Sequence, residues 1–149
     1  MAQKTSVSDD SSLVEFFQGV GRSLLQGFGH FWNINKDVGW GYENKYSDVL
    51  LIQFLINSTG ATAKLVEDGI FGNKTHKAVK AFQTQYDSLG IGSLYADGII
   101  NVPVWAMPGS GIYTIHALNS VYLQNNRPYY NDLRMDPHLP SKLCNILML

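Results

Sequence analysis

One cysteine in 149 residues, Cys144, rules out an intrachain disulfide, so the stability of this chain has to come from a packed core. Charge is scarce too. Charged residues make up 15% of the chain and the net charge is -1 at pH 7, which gives no long-range attraction for nucleic acid or an anionic bilayer. No apolar run reaches the roughly 18 residues that a membrane-spanning helix needs. At this length a single domain with extensions is the expected organisation, because a second independent core would be cramped.

Catalytic groups are equally sparse. His30, His76, His116 and His138 form no His-x-x-x-His pair, so a zinc site would have to be assembled wholly by the fold, and each reads more simply as a surface or half-buried residue. Cys144 has apolar neighbours that argue for a raised thiol pKa, which fits a small buried hydrophobe better than a nucleophile. Asp68 and Asp97 invite an acid/base reading, but each is followed directly by glycine, which fits a turn better. There is no phosphate-cradling Gly-x-x-x-x-Gly-Lys pattern. The expectation is a protein without catalysis, cofactor or metal.

What is present centres on Asp68-Gly-Ile-Phe-Gly-Asn-Lys-Thr-His-Lys-Ala-Val-Lys-Ala-Phe-Gln83. Gly69 and Gly72 suit a tight turn, at least one of them with positive φ, and Asn73 suits a helix cap. Thr75, Ala78, Val79, Phe82 and Tyr86 then recur at helical spacing, with Lys74, Lys77 and Lys80 largely off that stripe. Ahead of it, Ser47 is a plausible cap for a helix from Asp48 to about Asn57 that is apolar nearly all round, the mark of a central helix. A second Asp-Gly, at Asp97, lies 29 residues after the first and forms a degenerate internal repeat. Ile115, Leu118, Val121 and Tyr122 predict a third helix over Ile112 to about Leu123.

Outside this unit, residues 1–12 are small and polar and read as disordered. Leu13 to about Phe31 reads as an added helix, through Leu13, Phe16, Phe17, Val20, Leu24, Leu25 and Phe28. The tail from Asn125 carries Pro128, Pro137 and Pro140 and is expected to be mostly extended or looped. Its apolar end either packs on the domain or enters a partner.

The segment from Asp68 to Gln83 resembles the signature of the peptidoglycan-binding domain family, Asp-Gly-x-Phe-Gly-x-x-Thr-x-x-Ala-Val-x-x-Phe-Gln, at every fixed position: Asp68, Gly69, Phe71, Gly72, Thr75, Ala78, Val79, Phe82 and Gln83. Val49, Ile52, Gln53 and Ile56 are similar to that family's first helix. Asp97, Gly98 and Trp105 are similar to its second turn, with Asn101 standing for a glycine and Val104 for a threonine. The resemblance covers roughly residues 46–120. It implies an all-α fold, a three-helix bundle with the N-terminal helix and the C-terminal tail added, over a single domain from 13 to 149.

It also implies non-catalytic binding of bacterial cell-wall peptidoglycan, through glycan or stem peptide. Ring stacking and hydrogen bonds suit so weakly charged a chain, and the expected ligand-binding residues are Trp40, Tyr42 and Tyr95 in loops, with Asn44 and Gln85 supplying amides. Binding by rings predicts weak salt dependence. A Sec signal is not evident, since Asp9 and Asp10 precede Leu13 and Glu15 and Gln18 interrupt the apolar stretch. The expected location is therefore cytoplasmic, or periplasm or wall by a signal-independent route. That conflict keeps a second class open: an adaptor or cargo component of a bacterial secretion system that uses the same fold to bind protein.

Overall fold

The computed structural model describes residues 3–6, 30–60, 63–88, 94–103 and 113–147. The fold is helical. Helix α1 (Tyr46–Thr59) is central, and every residue from Ser47 to Ile56 is buried. Helices α2 (Asn73–Ser88), α3 (Thr114–Asn125) and the short α4 (Ser141–Ile146) all pack on it. That arrangement follows from α1 having no polar face to turn outward.

The start of α1 is set by tertiary contacts. Ser47 is inside the first turn and Lys45 takes the cap position without a side-chain cap bond, so the helix begins earlier than a Ser47 cap predicts. The fully buried Asp48 carboxylate points to the preceding loop, where its two oxygens accept the N–H groups of Asn35 and Lys36, both at 2.9 Å. The helix ends at Gly60, in the left-handed conformation with φ 67°. Helix α2 opens with the His76 N–H on the Gly72 carbonyl at 3.0 Å, so Asn73 is its first residue and not its cap. Thr75, Ala78, Val79, Phe82, Gln83 and Tyr86 are buried, and Lys74, Lys77 and Lys80 are exposed.

Two sequence-based expectations change at the N-terminal side. Strand β1 (Gln3–Ser6) pairs antiparallel with β2 (His30–Asn33), with Gln3 opposite Asn33 and Ser6 opposite His30, so residues 3–6 are ordered where an unstructured start was expected. Backbone pairing satisfies the main-chain groups of so polar a segment without asking it to be apolar. The helix expected from Leu13 to Phe31 falls outside the described residues except at its end, and there His30 and Phe31 are strand. The reason lies in α3. The Asn119 amide behaves as a neighbouring strand would, its Oδ1 accepting the Trp32 N–H at 2.7 Å and its Nδ2 donating to the Trp32 carbonyl at 2.8 Å.

The tail is turned and not extended. Two 3-10 turns, Arg127–Tyr129 and Leu133–Met135, precede α4. The Tyr130 hydroxyl donates to Asn119 Oδ1 at 2.7 Å, and Trp32 Nε1 donates to the Tyr130 carbonyl at 2.9 Å, so strand, third helix and tail share one buried polar network. Apolar burial accompanies it: Phe31, Trp32, Ile34, Tyr130, Leu133 and Leu143 join Val49 to Ile56, Val79 and Leu118 in one continuous core. His30 and His116 are buried, against the expectation of surface or half-buried histidines, and Cys144 is half-buried on α4.

Candidate binding surfaces

The internal repeat extends well beyond its two Asp-Gly pairs. In the first copy Gln53 Nε2 donates to Asp68 Oδ1, the Ile70 carbonyl and Thr75 Oγ1, each at 3.1 Å, while Gln53 Oε1 accepts the Gly69 N–H at 2.9 Å. In the second, Gln83 Nε2 donates to Asp97 Oδ1 at 3.4 Å, the Ile99 carbonyl at 3.0 Å and Thr114 Oγ1 at 3.1 Å, and Gln83 Oε1 accepts the Gly98 N–H at 2.9 Å. Each Asp also accepts the N–H two residues on, at Ile70 and at Ile99, both at 3.0 Å. One amide from each helix thus locks the turn that follows it to the start of the next helix.

The glycines complete the pattern. Gly69 has φ 72° and Gly98 φ 75°, whereas Gly72 is not among the glycines with positive φ. A ring lies on each: a Cβ at Gly69 would meet the Tyr46 ring at 2.4 Å, and one at Gly98 would meet the His76 ring at 2.5 Å. Tyr46 precedes Gln53 by seven residues and His76 precedes Gln83 by seven, so ring and amide stand two helical turns apart on one face in both copies. The repeat therefore reads ring, Gln, Asp-Gly, Thr. Its second threonine is Thr114 and not residue 104, because a longer connection separates the second turn from α3. Trp105 lies outside the described residues, as does Val104.

These contacts commit both aspartates to the turns. The Ile70 N–H, helped by the Gln53 amide and opposed by burial, holds the Asp68 carboxyl below its ordinary range. Phe71 is half-buried against the core, and Ile70 is 66% exposed.

The loop aromatics lean on this scaffold. Trp40, 50% exposed, meets Phe71 edge-on at 5.1 Å and the His76 ring at 5.4 Å. Its loop is tied to the second turn by the Val38–Ile100 bridge, with N–H to carbonyl bonds of 2.9 and 2.8 Å, so Trp40 stands where the two turns meet. Asn44 is spent on the loop itself: its Oδ1 accepts the Gly39 N–H at 2.8 Å and its Nδ2 donates to the Gly39 and Tyr42 carbonyls. Tyr42 lines a hollow of 460 Å³ with Asn35, Lys36, Asp37, Glu43 and Val102. Tyr95, 76% exposed, lines a small one of 40 Å³ with Asp97, Asn101 and Tyr113. Asn101 on one rim donates to Asp37 on the other at 3.2 Å, which joins the two hollows. Gln85 is exposed on α2 and lines neither.

Two further hollows carried no signal in the sequence, because they arise from the loop between α1 and α2 folding back. A cleft of 410 Å³ is lined by Asn57, Ser58, Lys64, Glu67, Asn126 and His138, among others. A groove of 490 Å³ runs between residues 63–65 and α2. Among the described residues, no group of three His, Cys, Asp or Glu is placed to hold a metal ion, and no helix is long and apolar enough to cross a membrane.

Against known families, residues 45–91 match the family described as putative peptidoglycan binding domain. The match spans α1, the first turn and α2, so the resemblance read from the signature holds for that segment. No curated protein and no solved structure matches the chain.

Proposed function

We propose that the protein binds bacterial peptidoglycan non-covalently and does not cleave it. One observation carries this reading: the family match at residues 45–91 falls on a unit whose Gln53, Asp68, Gly69 and Thr75 are consumed by its own hydrogen bonds. The signature is then a scaffold, and recognition belongs to the surface it supports. The exposed rings of Trp40, Tyr42 and Tyr95 near the two turns suit sugar rings and uncharged amides, which gain from stacking without net charge.

Co-sedimentation with purified insoluble peptidoglycan, with chitin and cellulose as controls, tests the reading. The full chain is expected to pellet with peptidoglycan alone, and Trp40→Ala and Tyr95→Ala to weaken retention without changing the melting temperature by much. Retention equal in both variants would remove those rings from the site. A parent protein that stays in the supernatant, or that releases soluble muropeptides, would overturn binding or non-catalysis respectively.

A second reading, a protein-binding adaptor, is favoured by a specific feature. Ile70 is exposed in the first turn and Tyr46, whose ring lies on Gly69, is exposed too, so the first turn presents apolar area of the kind that protein partners cover. Specific capture of a protein with no retention on peptidoglycan would favour it.

A further inference from the structure

Helix α2 puts Lys74, Lys77, Ala78 and Ala81 along one side of the 490 Å³ groove, at the i, i+3, i+4, i+7 spacing of a single helix face. The facing wall is the run Ala63, Lys64, Leu65. That wall is fixed: Asn57 Oδ1 accepts the Leu65 N–H at 2.8 Å and Asn57 Nδ2 donates to the Leu65 carbonyl at 3.0 Å. Ala63, Leu65, Ala78 and Ala81 give the lining its apolar part, and Lys64, Lys74 and Lys77 its three positive charges. Among the described residues none of Lys64, Lys74 and Lys77 is in an ion pair. In a chain of net charge -1, this is a local concentration of positive charge around a preformed apolar trough. Lys64 also lines the neighbouring 410 Å³ cleft, whose other lining residues include Asn57, Ser58, Asn126, His138 and the acidic Glu67 and Asp136, so the surplus of positive charge belongs to the trough and does not extend into the cleft.

Resting on the peptidoglycan reading, we propose that this groove holds the stem peptide, with the three ammonium groups meeting its free carboxylates and the alanine lining its methyl side chains. A peptide with free carboxylates and methyl side chains complements the groove in charge and in its alanine lining. A lipid anion shares the charge, but a single acyl tail needs a continuous apolar channel, and here the apolar lining is limited to Ala63, Leu65, Ala78 and Ala81 between three lysines. The assignment refines the expectation of weak salt dependence, because charge that is negligible over the whole molecule is concentrated where the ligand's own charge would lie.

The test titrates the full chain with a synthetic stem tetrapeptide ending in D-alanine, and sediments it with intact peptidoglycan and with glycan strands stripped of peptide by an amidase. The parent is expected to bind the peptide, less tightly as salt rises, and to favour intact over stripped material. The triple variant Lys64→Gln/Lys74→Gln/Lys77→Gln should lose about tenfold or more in peptide affinity. Ala81→Glu, which adds a carboxylate to the trough, should do the same. Melting curves of both variants check that the fold is kept, as all three lysines are exposed. Unchanged peptide affinity in the two variants would overturn the groove as the site. Equal retention on intact and stripped strands, with no peptide binding, would overturn the proposal and leave the peptidoglycan reading standing, and no retention on either would remove both. Lysine-dependent binding to anionic phospholipid vesicles without peptide binding would assign the groove to lipid and overturn the proposal.

Discussion

Gly69 and Gly98 are each held by two independent constraints, and the chain supplies controls that separate them. Both have positive φ, where a Cβ is strained, and both lie beneath a ring. Gly60 has nearly the same φ, 67°, with nothing within 4 Å of its absent Cβ. Gly60→Ala should therefore report the backbone cost alone, about 1 kcal/mol. Gly69→Ala and Gly98→Ala should cost about 2 kcal/mol or more, since the Tyr46 or His76 ring must also leave its seat. Urea melts of the three variants measure the difference. Equal losses would mean that the rings rest on the turns without contributing to them. The φ of the first turn was legible from Asp-Gly alone, but the ring above it was not, because a seven-residue spacing acquires meaning only when the partner turn is known.

The helices were more legible than what surrounds them. The stripe Thr75, Ala78, Val79, Phe82, Tyr86 states the buried face of α2 outright, and the all-round apolar α1 states its own centrality, since each is a periodic signal repeated over several turns. Phe82 is the sharpest test of that face. It is buried against Tyr86, ring centroids 5.8 Å apart, and Phe82→Ala should cost about 3 to 5 kcal/mol in a denaturant melt. A loss under about 1 kcal/mol would place this face outside the core. β2 was illegible for the opposite reason: four residues, His30–Asn33, are too short for a period, and their conformation is imposed by Asn119, 87 residues away from Trp32. The third helix was found, but the threonine of the second copy was not: residue 104, where the family spacing looks for it, is Val, and the threonine that Gln83 holds is Thr114, beyond a longer connection. The loop aromatics were recognisable as exposed rings, yet Asn44 was not recognisable as the brace of its own loop, since an amide's partners are a matter of fold.

The segment that matches the family, residues 45–91, is smaller than the core it shares, which runs from Phe31 to Leu147. Residues 45–91 supply α1, the first turn and α2, but α1 is buried on every side, and α3, α4 and the chain around β2 do part of that covering. Removing them would bare much of Leu50 to Ile56, and each fully exposed Leu, Ile or Phe forfeits about 1.5 to 3 kcal/mol, against a net stability for a whole domain of only about 5 to 15 kcal/mol. The second lock would go too, leaving Gln83 without Asp97, Gly98 and Thr114. The fragment 45–91 made alone should therefore lack a cooperative urea transition and aggregate as its concentration rises, while the full chain melts in a single step. Asn119→Ala in the full chain offers a gentler version: it cuts the bonds to Trp32 and Tyr130 without truncation, and should cost about 2 to 4 kcal/mol by leaving buried partners unsatisfied. A fragment that melts cooperatively, with dispersed amide resonances, would show that the first turn and its two helices are self-sufficient and that the flanking segments are additions. Until the fragment passes that test, loss of peptidoglycan retention on truncation would report unfolding and not the loss of a binding residue, which is why the binding experiments use exposed side chains in the intact chain.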